Sequence, residues 1–398
     1  MQTITQRICK TRQKSIPLKL KKLTLSMNLD RLNILNFKNI PEASIEFSSS
    51  INALVGLNGA GKTNIIEAVY YLSMCKSSMG LSDRGSVRHD SDFFVLEGEY
   101  TDTRSRHSSV TCTYSAKGSR KVLKFNGKEC EKLSEHVGRI PIVIVSPADA
   151  FLVSDAADER RRYLNAFISQ LDAQYLTAII RYNAVLAERN KLLKNSDPRI
   201  IDELLDTYDM QLIAHGEVVH AKRREYIEML VPSLEKYYRT LCDDREEVSL
   251  TYSSELNDHS FEELLANSRR RDAACQFTTT GVHRDDMVMR IGGLPLKKYG
   301  SQGQQKSFLV ALKLAQYDIV SRITGEKPIL LLDDVFDKLD SGRVARLMDI
   351  VNGEGFGQIF VSDCNRRRLV DILDRAGREY SAYHIEDGCV TKTTSEEL

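Results

Sequence analysis

The sequence predicts an α/β fold whose core is split in two by a helical insertion, and three observations carry that reading. A short apolar run, Ile51 to Val55, passes through a glycine-rich loop into a stretch with helical spacing. After Pro147 the chain turns helical and heavily charged. From Phe277 onward, strand-like runs return and alternate with helical ones.

Along the chain, Asn28 to Val55 is β-like: Leu32, Ile34 and Leu35 precede a turn around Lys38 to Pro41, then Ile45 and Phe47 alternate with polar residues. Asn64 to Val69 has the apolar spacing of a helix, and residues 93–145 read as strands with a hairpin turn at Asn126-Gly127. Leu176, Ile179, Ile180, Leu186 and Leu193 predict a helix over 172–194, which breaks at Ser196-Asp197-Pro198. A second helix, Ile201 to about Leu241, carries Leu204, Leu205, Tyr208, Leu212, Val219, Tyr226, Leu230 and Tyr237. Two antiparallel helices joined at Pro198 follow; roughly 40 residues at about 1.5 Å each make an arm of at most ~60 Å, a stub instead of a long coiled coil. Beyond Phe277 come a strand at Met287 to Ile291, a helix at Ser301 to Val320, a strand at Ile329 to Leu332, a helix near Arg343 to Val351 and a strand at Gln358 to Val361. The expected divisions are residues 27–147 and 276–398 for the two parts of the core and 148–275 for the inserted lobe, with 1–26 standing apart.

The 398 residues suffice for two to three domains, and 42% apolar content excludes a disordered chain. No apolar run approaches the ~18 residues that span a bilayer, which argues against a membrane role. Lys+Arg 56 against Asp+Glu 55 leaves a net charge of +1, unlike the basic excess usual for phosphate binding. That average conceals a basic segment: Arg7, Lys10, Arg12, Lys14, Lys19, Lys21 and Lys22 stand in residues 1–26 without an acid, so the remainder is 49 minus 55, or −6. The segment reads as a targeting leader, as a basic arm for nucleic acid, or as residues ahead of a true start at Met27. Eight cysteines lie far apart with no C-x-x-C pair, which indicates neither a zinc site nor a redox pair; free thiols in a reducing, cytoplasmic compartment are expected.

Gly56-Leu57-Asn58-Gly59-Ala60-Gly61-Lys62-Thr63 fits G-x-x-x-x-G-K-[ST], the phosphate-binding loop. Its glycines let backbone N–H groups turn inward around an anion, and the following helix adds its positive end. Lys62 then reaches the terminal phosphates of a nucleotide such as ATP, and the Thr63 hydroxyl takes Mg²⁺. Such a loop needs a carboxylate for the metal on a neighbouring strand. Ile329 to Leu332, buried on both faces, supplies it at its carboxyl end: Asp333 for Mg²⁺, and Asp334 to polarise the attacking water. Ser301 is a good N-cap for the next helix, and Gly303 permits a phosphate to approach it closely.

Tyr299 to Lys306, placed ahead of Asp333, resembles the signature motif of ABC-type ATPases, in which the signature of one subunit covers ATP held by the loop of another. The resemblance implies that Ser301, Gly303 and Gln304 contact nucleotide in an ATP-dependent homodimer. From Met27 onward the chain resembles the RecF family, bacterial recombination mediator ATPases related to the SMC proteins. The matching residues are Asn36-Phe37-Lys38-Asn39, Asn58 to Thr63 with Glu67-Ala68, Phe93-Phe94 with Glu97-Gly98-Glu99, Pro147 with Arg160-Arg161, and Gly281 to Asp286. Val282, Gln302 and Lys338 depart from the pattern. The resemblance implies an ABC/SMC-type ATPase head, a mixed sheet with flanking helices and an inserted helical arm lobe. It also implies slow ATP hydrolysis, binding to gapped, duplex and single-stranded DNA, and action with RecO and RecR to help place RecA.

Lys117, Arg120, Lys121, Lys124 and Lys128 crowd the Asn126-Gly127 hairpin, where Lys121, Lys124 and Lys128 are the candidate DNA contacts. The same lysines also suit a solvated edge hairpin that resists aggregation. Arg160, Arg161 and Arg162 stand at a helix start beside Asp158 and Glu159, as structural ion pairs do. His283 and Arg284 border either the nucleotide or the lobe junction, or serve core hydrogen bonding. A transporter ATP-binding subunit fits poorly, because Lys62 and Ser301 are separated by a long helical insert. An SMC-like tether would need a longer arm, and a nucleotide kinase would leave the Ser301 to Gln304 segment unexplained.

Overall fold

The computed structural model describes residues 25–195, 198–243, 246–337 and 339–393. Residues 1–24, most of the basic leader, and Lys338 therefore lie outside the described residues.

Strands β1 (Leu25–Phe37), β2 (Ile40–Glu46) and β3 (Ile51–Val55) lead to helix α1 (Lys62–Met74). Strands β4 (Phe93–Asp102), β5 (His107–Ser115), β6 (Arg120–Phe125) and β7 (Lys128–Glu129) form a meander, followed by β8 (Ile142–Val145). The inserted segment holds α2 (Phe151–Ser154), α3 (Ala157–Ser169), α4 (Ala173–Asn195), α5 (Pro198–Cys242), β9 (Val248–Ser253) and α6 (Phe261–Cys275). Then come β10 (Asp286–Ile291), β11 (Leu294–Pro295), α7 (Leu296–Tyr299), α8 (Gln302–Thr324), β12 (Glu326–Lys327), β13 (Ile329–Asp333), α9 (Ser341–Asn352), β14 (Ile359–Asp363), α10 (Arg366–Ala376), β15 (Tyr380–Glu386) and β16 (Cys389–Thr393).

The central sheet runs β16-β15-β3-β14-β13-β8, parallel except for the β15–β16 hairpin. Its interior strands β3, β13 and β14 are buried at every position, as a sheet covered on both faces requires. A second sheet, β12-β1-β4-β5-β6-β7 with β2 on β1, is mainly antiparallel. Helix α1 lies between the two sheets, and the edge-to-face rings of Phe37, Tyr71 and Phe94, 5.3 to 5.9 Å apart, key it to the second. The phosphate loop is thus held from both sides.

The helical hairpin is antiparallel: Arg189 pairs with Asp209, and Tyr175 bonds Arg223, at matched distances from the Pro198 turn. Much of α5 does not project, however, because its C-terminal half packs on α8; Ser233, for example, bonds Asp318. The sequence pattern assigns only helices to 148–275, yet β9 lies within it and pairs along its length with β10. Hydrogen bonds thus cross the expected boundary at 275/276. Val248, Leu250 and Tyr252 alternate with Ser249, Thr251 and Ser253, a period-two signal set in a single short run among helical stretches.

Candidate nucleotide site and its relatives

The loop geometry follows from its glycines. Gly59 and Gly61 adopt φ of 83° and 123°, which L side chains rarely reach, and a Cβ on Gly56 would stand 2.2 Å from the Ile385 carbonyl oxygen. Two neighbouring turns brace the loop. Asn39 Nδ2 donates to the Gly59 carbonyl at 3.1 Å, Asn64 Nδ2 donates to Asn39 Oδ1 at 2.6 Å, and the Gly388 N–H donates to the Ala60 carbonyl at 2.9 Å. Lys62 is only 6% exposed, and its Nζ lies within the loop, donating to the carbonyls of Gly56 and Leu57 at 2.8 and 2.9 Å. Asn58 and Gly59 are exposed at the loop's tip.

Strand β13 brings the carboxylates to this loop from far along the chain. Thr63 Oγ1 donates to Asp333 Oδ1 at 3.1 Å, and the buried Ser362 hydroxyl donates to the same oxygen at 2.6 Å. Burial raises the Asp333 carboxyl above its ordinary range, against the pull of the Ser362 and Thr63 hydrogen bonds. A threonine hydroxyl beside a buried carboxylate is a pair of hard oxygen donors at the foot of a phosphate loop, and these residues fit Mg²⁺. Asp334 follows in a left-handed conformation, φ 50°, with its N–H bonded to Ser362 Oγ at 3.0 Å. Neither Ser362 nor Asn39 is a predicted site residue; each is an ordinary polar residue whose partner is remote in sequence or set by a turn. Asp363 and Cys364 bring potential ligand atoms within 4.8 Å of Asp334, but Asp363 is held by Arg368 in two bonds of 2.8 and 2.9 Å.

Ser301 caps α8, its side chain accepting from the Gln304 N–H at 3.2 Å while Gln304 Oε1 accepts from the Ser301 N–H. Gln304 also donates to Glu246. Gly303 does leave space, but within the chain Arg343 fills part of it: a Cβ there would stand 2.6 Å from the guanidinium. Lys313 on α8 pairs with Asp149, just past the carboxyl end of β8, at 2.7 Å. Ser301 precedes Lys313 by twelve residues, so the cap stands about 18 Å farther along the helix toward its N-terminal end. Among the described residues no hydrogen bond or ion pair joins this cap to the phosphate loop. A cavity of about 630 Å³ between α1, β8 and α3 is not lined by the phosphate loop.

The hairpin lysines divide. Lys121 turns inward from β6, donating to Asp83 and to the Cys75 carbonyl at 2.9 Å each and lying over the Tyr71 ring. Its charge is already paired, which removes it from the exposed basic face; Lys124 and Lys128 remain exposed on that hairpin. Period-two alternation on a half-covered strand decides the difference. Arg160 pairs with Asp286, Arg161 with Asp158 and the Asp285 carbonyl, and Arg162 with Glu159, all structural.

His283 belongs to the core, its two ring nitrogens bonded to the Tyr182 hydroxyl and the Thr278 carbonyl. Burial lowers its pKa to about 4 from the ordinary 6.5. Between those values the unfolded chain takes up a proton that the folded one refuses, so stability falls as pH drops through this window. His283→Gln, which cannot titrate, is expected to flatten that fall in denaturation midpoints measured from pH 7 to pH 4.

A phosphate loop between two sheets, two acids at the end of a buried strand and a capped helix beyond them define an ABC/SMC-type ATPase head. The family model for the RecF/RecN/SMC N-terminal domain matches residues 28–389. The chain is 44% identical over 367 residues to the DNA replication and repair protein RecF of Phocaeicola vulgatus, covering 92% of this chain and 98% of that one. It is 40% identical over 361 residues to the RecF of Flavobacterium johnsoniae, covering 90% and 100%. A solved structure of the recombination mediator protein RecF with ATP, described as part of the RecFOR pathway, superposes with a TM-score of 0.82 at 30% identity, over 93% of this chain and 98% of that one. The Smc head domain from Pyrococcus furiosus, at TM-score 0.53 and 15% identity over 93% and 97%, shares the fold alone. The chain belongs to the RecF family.

Proposed function

We propose that the protein is an ATP-dependent DNA-binding protein of recombinational repair and replication restart. The observation that carries this reading is the division of the nucleotide site: Thr63 of the loop meets Asp333, with Asp334 next in the chain, whereas the Ser301 cap stands apart and solvent-facing. A second chain, turned to face the first, brings Ser301, Gly303 and Gln304 over the nucleotide and closes an ATP-sandwiched dimer. Mg²⁺ held by Thr63 and Asp333 would neutralise phosphate charge. Lys62 binds the phosphates, Asp334 polarises the water, and hydrolysis is slow and resets the clamp.

The dimer clamps gapped or duplex DNA at single-strand/double-strand junctions and works with RecO and RecR to help load RecA in the cytoplasm. The relatives' names as RecF and their place in the RecFOR pathway support this reading. No described helix is long and apolar enough to cross a membrane, and an SMC-like tether is not favoured by an arm in which the C-terminal half of α5 packs on α8.

The test is an ATPase titration with gapped, duplex and single-stranded DNA, run beside gel filtration with and without ATP. DNA-stimulated hydrolysis is expected, and ATP-promoted dimers should show in the wild type and in a Lys62→Arg background, which keeps the positive charge at the loop. A strictly monomeric wild-type protein under saturating ATP would remove the sandwich. Lys124→Gln with Lys128→Gln is expected to flatten the salt dependence of DNA binding by about two units of log–log slope if both contact phosphate; an unchanged slope excludes the hairpin.

A further inference from the structure

Ser362 is placed where one hydroxyl can serve both acids of the site. It lies on β14 with no solvent exposure, directly opposite Asp333 in the parallel ladder. Its proton goes to Asp333 Oδ1 at 2.6 Å, and its oxygen accepts from the Asp334 N–H at 3.0 Å. Asp333 is thereby turned toward Thr63, and Asp334 is pinned in a left-handed conformation that a non-glycine residue adopts only where its surroundings impose it.

The left-handed turn matters because it sets the direction in which Asp334 leaves the strand. In an ordinary extended or right-handed conformation, the chain after β13 and the Asp334 carboxylate would take a different course. The Asp334 amide would also lose its only side-chain acceptor at a part-buried position. Thr63 braces the same carboxylate from the loop side, and the parallel ladder sets Asp333 opposite Ser362. Ser362 therefore joins, through one hydroxyl, the side chain of Asp333 to the backbone N–H of Asp334.

We infer that Ser362 is a positioning residue for hydrolysis: its hydroxyl fixes the Asp333–Asp334 turn so that one carboxylate meets the metal and the next meets the attacking water. The inference rests on the proposed ATPase reading of this site. It predicts an effect on turnover more than on nucleotide binding, because Lys62 and the loop backbone that cradle the phosphates make no hydrogen bond to Ser362.

Ser362→Thr and Ser362→Val test it, since the two side chains have the same shape and differ in the hydroxyl alone. The valine variant is expected to lose at least tenfold in kcat with KM for ATP within about twofold, and the threonine variant to retain most of the wild-type rate. Amide hydrogen exchange in the wild-type protein supplies a second readout that needs no turnover. The Asp334 N–H is expected to be protected in the wild type and the threonine variant and to exchange at least tenfold faster in the valine variant. Equal rates for the threonine and valine variants, or an unprotected Asp334 amide in the wild type, overturn the inference. A wild-type protein that hydrolyses no ATP defeats the ATPase reading instead, so the two failures are told apart. If valine prevents folding, Ser362→Ala replaces it in the same comparison.

Discussion

Replacing Asp334 by Asn is expected to lower ATP hydrolysis by about two orders of magnitude or more, the usual loss when a positioned base is removed. Dimerisation on ATP should survive or increase. The substitution preserves shape, and Asn is among the residues that best tolerate the left-handed conformation Asp334 adopts, so the backbone bond to Ser362 remains available. Nucleotide binding stays with Lys62, Thr63 and Asp333, which the change does not touch. Gel filtration with ATP should therefore show a long-lived dimer where the wild-type protein cycles back to monomer. Hydrolysis at the wild-type rate would remove Asp334 from the water-polarising role.

Arg223→Met should destabilise the fold by about 3–5 kcal/mol, because it strands a buried charge. The Arg223 guanidinium, 1% exposed, donates to Asp285 at 2.9 Å, the Val282 carbonyl at 2.6 Å, the Tyr175 hydroxyl at 3.1 Å and Asn165 at 3.0 Å. Four elements meet at this side chain: α3, α4, α5 and the segment entering β10. Against a typical total of about 5–15 kcal/mol, the loss should lower the melting temperature by roughly 10 °C. Burial already raises the Asp285 carboxyl, and Arg223 opposes that rise. Without the arginine the folded protein holds the Asp285 proton to higher pH than the unfolded chain does. The variant's deficit should then shrink as pH falls toward the ordinary carboxylate range. Adding Asp285→Asn should recover part of the loss, since no charge is then left unpaired; a deficit independent of pH and of Asp285 would assign it to lost packing.

The leading elements of the site were legible because their signals are local. Glycine spacing marked the phosphate loop, the apolar run Ile329 to Leu332 marked a doubly covered strand ending in two acids, and Ser301 marked a helix cap. Less legible features depend on partners distant in the chain. Ser362 reads as an ordinary strand residue until β14 is laid against β13. Lys121 is indistinguishable from Lys124 until the meander is folded onto α1 and Asp83 claims one of them. Strand β9 does alternate, Val248, Leu250 and Tyr252 against Ser249, Thr251 and Ser253, but it is a single short run between helical stretches whose partner β10 lies beyond α6.

Local chemistry in the sequence was enough to mark a phosphate loop, an α/β core interrupted by helices, and the motifs of the RecF family. Backbone conformation and hydrophobic periodicity are short-range properties, so they survive in one dimension. Only the tertiary structure decided which side chains are spent on internal partners, how the Ser362 hydroxyl joins two acids, and that the signature cap lies about 18 Å along α8 from the Lys313 that pairs with Asp149. Those outcomes depend on which distant groups burial forces together, and burial is a property of the folded whole.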